Sequence, residues 1–97
     1  MSHIIKNDTH SVLLLTRAAL ATARKTPVDK KSILEFITEA MPIVLELYPY
    51  ADREIIRVCL ATAQRIIEEN GDRGALLQNL ACAEEHAAKM DKETRKR

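Results

Sequence analysis

The sequence predicts an all-α protein, a compact bundle of four helices in one domain. Three observations lead there. Aromatic residues make up 3% of the 97 residues and glycines number two, whereas alanine is abundant. A β-sandwich or barrel wants aromatic and β-branched residues and many glycine-bearing turns. Finally, four stretches repeat apolar residues at a spacing of three and four, separated by proline or Asn-Gly punctuation.

The first helix is expected over about 9–25. Asp8 or Thr9 can cap its free N–H groups, and Pro27 follows its end. His10, Arg17 and Arg24 lie seven apart, so they form one narrow polar line on an otherwise apolar or small surface. A helix of that kind is buried on several sides or sits at a subunit contact.

The second helix is expected over 28–48, with Thr26 as cap, Pro27 in the first turn and Asp29 at the positive end of the dipole. Ile33, Leu34, Ile37, Ala40, Met41, Val44, Leu45 and Tyr48 form its apolar face. Pro42 lies inside the pattern and predicts a kink or a break after Ala40.

Tyr48-Pro49-Tyr50-Ala51 reads as a turn, and Asp52 as the cap of a third helix over 52–70. Its stripe is Ile55, Ile56, Cys59, Leu60, Ala63, Ile66 and Ile67, and Asn70-Gly71 closes it through a left-handed residue. Asp72 caps the fourth helix, over 73–92. Leu76, Leu80, Ala83, Ala87 and Met90 alternate spacings of four and three, the seam of a helix packed on a partner helix. The last residues are too polar to pack, and both ends, 1–7 and 92–97, are expected to be flexible.

Residues 17–23 (RAALATA) recur at 57–63 (RVCLATA), an offset of 40. Helix-pair repeats have that period, so two pseudo-repeated helix pairs are one reading and chance likeness between alanine-rich helices the other.

The net charge of +1 hides a polarity. Residues 1–31 carry six Lys/Arg and two Asp, +4; residues 32–88 carry four Arg and ten acids, −6; residues 89–97 carry five Lys/Arg and two acids, +3. Solvated charge is the plainer reading. The sharper one has Lys92, Arg95, Lys96 and Arg97 meeting phosphate, joined by Arg24, Lys25, Lys30 and Lys31. No helix-turn-helix pattern accompanies them.

Cys82 and His86 are four apart on the fourth helix, and Cys59 could join them if the third and fourth helices pack antiparallel. Zinc wants three or four ligands, so the expected reading is two reduced, buried thiols beside a histidine. No nucleophile–base pair, paired carboxylates or phosphate loop stands out. The sequence therefore predicts no catalytic residue, cofactor or metal, and hence no enzyme. No apolar run approaches about 18 residues and the N-terminus lacks a signal-peptide core, so a cytoplasmic protein with no membrane contact is expected. The surplus apolar surface of the first and fourth helices predicts a protein–protein interaction or regulatory module that self-associates, with a homodimer as its simplest form. The alternative is a small nucleic-acid-associated regulator using the basic ends.

Overall fold

The computed structural model describes residues 7–96. It holds four helices, α1 (Thr9–Arg24), α2 (Lys30–Val44), α3 (Tyr50–Glu68) and α4 (Arg73–Arg95), with no strand among the described residues. Neighbours in the chain pack on one another, and α4 closes the ring on α1. The α2–α3 contact is the sparsest. Short links make each helix antiparallel to the one before, as in an up-and-down bundle.

Three contacts fix the α1–α4 pairing. Thr9 meets Asp91, Arg17 meets Glu84, and Arg73 reaches the carbonyls of Ala23 and Arg24. One core draws on all four helices, and its layers include Val12, Ile33, Ile37, Ile56, Leu60 and Leu80. Ala19, Ala23, Ala40, Ala63, Ala83 and Ala87 are buried between the helices. Small residues at such positions let helix axes approach toward about 8 Å. No helix of the described residues is long and apolar enough to cross a membrane.

Asp8 caps α1, accepting from the Ser11 N–H at 3.2 Å. The start of α2 differs from the expectation. The helix begins at Lys30, not near Pro27, because Asp29 is its cap. The Asp29 carboxylate accepts from the Ser32 hydroxyl at 2.7 Å and from the Ser32 N–H at 3.2 Å, a closed local pair that Thr26 does not make. Those bonds, the hydroxyl first and the backbone N–H second, hold the Asp29 carboxyl below its usual value. A lowered folded-state pKa stabilises above the unfolded carboxylate value, and the benefit is lost as pH falls through the folded one. Asp29→Ala is therefore expected to lower the melting temperature at pH 7. The gap to the wild type should close as the medium is acidified below about pH 4, followed by circular dichroism melts across pH.

α2 runs unbroken through Pro42 and ends at Val44, so no break follows Ala40. Proline removes one bond, to the Thr38 carbonyl, and Thr38 is exposed to water there. The early end shifts the phase of the next residues. Leu47, rather than Tyr48, turns into the core, and Leu45 and Tyr48 are exposed.

α3 begins two residues before Asp52, which lies in its first turn and pairs with Lys89 of α4 instead of capping. Its other end agrees with expectation. Asn70 takes φ 53°, the Asn70 N–H bonds the Ile67 carbonyl and the Gly71 N–H bonds the Ile66 carbonyl. Asp72 caps α4 through the Ala75 N–H at 2.9 Å.

Helix and pairing reach further toward the C-terminus than expected. α4 continues to Arg95, past the point where fraying was expected. Asp91 is buried, accepting from the Thr9 hydroxyl at 3.0 Å and pairing with Arg95 at 3.2 Å. Asn7 is fastened to the α2–α3 corner, donating to the Tyr48 carbonyl at 2.8 Å and accepting from the Tyr48 N–H at 3.0 Å. Residues 1–6 and Arg97 lie outside the described residues.

The two copies of the 40-residue similarity fall on α1 and α3, diagonal across the bundle. Thr16, Ala19, Leu20 and Ala23 are buried, and so are Ile56, Cys59, Leu60 and Ala63 at the same offset. The correspondence is weaker on the other pair, where buried Ile33 would match exposed Arg73.

Candidate interaction surface

The seam of α4 lies inside the protein. Leu76, Leu80, Ala83, Ala87 and Met90 are all buried, and the helices that cover them are α1 and α3 of the same chain. A seam with spacings of four and three specifies a packed helix but not whose helix packs on it. The apolar girth of α1 is likewise largely covered, by α2 on one side and α4 on the other. Leu14 is the one large apolar side chain of α1 that stands exposed.

The exposed apolar surface is elsewhere. Six large hydrophobic side chains are exposed among the described residues, and five of them fall between Leu45 and Val58. Leu45, Tyr48 and Tyr50 mark the α2–α3 corner, and Ile55 and Val58 continue along α3. Ala51, Ile55, Val58 and Thr62 are spaced at steps of four, three and four, so they form one stripe on the outer side of α3. Tyr50 is 63% exposed and Val58 50%.

This corner is held rigid although its side chains are wet. The two-way Asn7–Tyr48 pairing anchors its backbone to the start of α1. Arg53 stands 4.8 Å above the Tyr50 ring and donates to the Leu47 carbonyl at 3.4 Å. Arg57 grips Glu54 through two bonds of 2.8 and 3.0 Å beside the stripe. A cleft of about 80 Å³ opens between Asn7, Tyr48, Pro49, Met90, Glu93 and Thr94, room for a few waters but below the size of an organic-cofactor site.

The two basic sets do not join. Arg24, Lys25, Lys30 and Lys31 lie where α1 ends and α2 begins, beside the N-terminus of α4. Lys92, Arg95 and Lys96 lie at the opposite end of α4. At 1.5 Å per residue, about 28 Å of helix separates Arg73 from Lys92. Two members are also engaged within the chain: Lys30 donates to the Asn70 side chain at 2.7 Å, and Arg95 binds Asp91. Lys25, Lys31, Lys92 and Lys96 are exposed. Arg97 lies outside the described residues.

α3 and α4 do pack antiparallel, which brings Cys59 opposite Cys82. Among the described residues no three of His, Cys, Asp and Glu are grouped so as to hold a metal ion, so His86 does not complete a ligand set.

The chain matches no protein-family profile, and no curated protein and no solved structure is significantly similar to it.

Helical periodicity misses the corner for one reason. Continued through Pro42 and back to Asp52, it places Leu45, Tyr48 and Ile55 on buried stripes. The available signal is Tyr48-Pro49-Tyr50 itself, because two tyrosines around a proline in a turn rarely all fit a core.

Proposed function

We propose that the protein is a small helical interaction module that acts through a protein contact and self-associates through the α2–α3 corner and the outer stripe of α3. The observation that carries this reading is the concentration of exposed apolar side chains between Leu45 and Val58 on a backbone already clamped by Asn7 and Arg53. Large apolar groups gathered on one region and rimmed by charge are typical of docking sites. Tyrosine suits that role because it brings area and a polar tip at low entropic cost. A preformed backbone lowers the ordering cost of association further.

Cytoplasmic residence belongs to the same proposal. So does the absence of a catalytic role of its own.

Sedimentation across a concentration series tests the reading. The wild type is expected to run as a dimer at micromolar concentration. Val58→Glu should shift it to monomer while leaving the helical circular dichroism unchanged, because the side chain is half exposed and outside the core. A wild-type monomer at high micromolar concentration overturns self-association.

A further inference from the structure

The α3–α4 interface places two thiols in register. Asp52 and Lys89, 3.7 Å apart, fix how the two antiparallel helices align. Seven residues on from Asp52 is Cys59, and seven residues back from Lys89 is Cys82. Seven residues are close to two turns, so equal and opposite steps reach the next facing layer. That layer sets Cys59 of α3 against Cys82 of α4, near enough for the Cys82 thiol to act on the Cys59 thiol. Ala63 and Ala83, both fully buried one turn or less from the pair, allow the backbones to approach. Close approach is what a disulfide needs, since its Cα atoms must come within about 7 Å. The two sulfurs differ in access: Cys59 is 8% exposed, whereas Cys82 is half-buried at the edge of the interface.

We propose that Cys59 and Cys82 form a redox-active pair that closes to a disulfide joining α3 to α4, with a low-molecular-weight disulfide such as glutathione disulfide as the oxidant. Cys82, as thiolate, attacks one sulfur of the glutathione disulfide. That S–S bond breaks, one glutathione leaves as thiolate, and Cys82 carries the other as a mixed disulfide. Cys59 then gives up its proton and attacks the Cys82 sulfur. The second glutathione leaves with the electron pair of the broken bond and takes up a proton. Two protein thiols are oxidised and one disulfide is reduced to two thiols, so no further reagent enters. Burial first, then the Cys82 thiol, pushes the Cys59 thiol up to about 12. This sets the order of attack, with the accessible Cys82 first and closure by Cys59 the slower step.

The test uses the full chain. Reduced, native protein is incubated with glutathione disulfide, quenched in acid, alkylated after unfolding and read by mass spectrometry with peptide mapping. Supporting results are a monomer lighter by two hydrogens, a Cys59 peptide linked to a Cys82 peptide, and full reversal by dithiothreitol. Cys59→Ser and Cys59→Ala, each checked for helical content, should stop at one glutathione on Cys82. A wild type that stops at that same adduct overturns the proposal. So does one that keeps both thiols free for alkylation, or one that links Cys82 of two copies.

Discussion

Leu80→Ala is expected to destabilise the protein by about 2–5 kcal/mol. Leu80 is fully buried, and α4 packs on both α1 and α3, so the cavity opens between helices that alanines already hold close. The core around it also holds Val12, Ile56, Leu60 and Leu76, so how far those side chains relax sets where in the range the cost falls. A domain of this size has a total stability on the order of 5–15 kcal/mol. At about 4–8 °C per kcal/mol, the melting temperature should drop by tens of degrees. In urea the midpoint should fall with the slope unchanged, which separates lost packing from a changed unfolded state. Leu14→Ala is the control. Leu14 is 52% exposed on α1, and its truncation should cost under about 1 kcal/mol.

Periodicity makes the four helices and most of the buried stripes legible. Ile33, Ile37, Ala40 and Val44 recur at steps that only one helical face satisfies, and all four are buried. What periodicity does not carry is where a helix starts and which polar groups meet across the bundle. Three residues compete to open α2. Asp29 wins because Ser32 answers it with both a hydroxyl and an N–H, a pairing of four neighbouring residues that helical phase does not encode. Asp52 resembles a cap by its position, yet Lys89 lies opposite it, 37 residues away in the chain. Arg73, between two glycines, has the look of a local turn residue. It instead donates to the Ala23 and Arg24 carbonyls, satisfying orphan acceptors at the end of α1. The candidate surface is hidden for a related reason. Its residues are apolar, and apolar residues at helical spacing read as core until the helix end that exposes them is placed.

The same long-range pairing makes Asp91 the second position of large effect. A charged residue next to Met90 looks like the start of a solvated tail, but its side chain is 8% exposed and takes a hydrogen bond from a buried hydroxyl. Asp91→Leu removes the acceptor and leaves the Thr9 hydroxyl buried without a partner, which is expected to cost about 1–3 kcal/mol. Arg95 adds little to that figure. It is 65% exposed, so losing its pair frees a cation into water and leaves none stranded in the core. The effect should therefore depend on Thr9 more than on charge. Thr9→Val alone leaves Asp91 short of one donor but still paired with Arg95, and should cost less than Asp91→Leu. The double variant removes donor and acceptor together, replacing a matched polar pair with apolar groups. It should recover much of the loss, giving a coupling energy of about 1 kcal/mol or more in a double-mutant cycle measured by urea unfolding. Additive costs would mean that the two groups are independent. Recovery would mean that the Thr9–Asp91 bond couples the last turns of α4 to the first turn of α1, beside the contacts of His10 with Asp91 and Arg95, with the clamp on the Tyr48 corner through Asn7 just ahead of it in the chain.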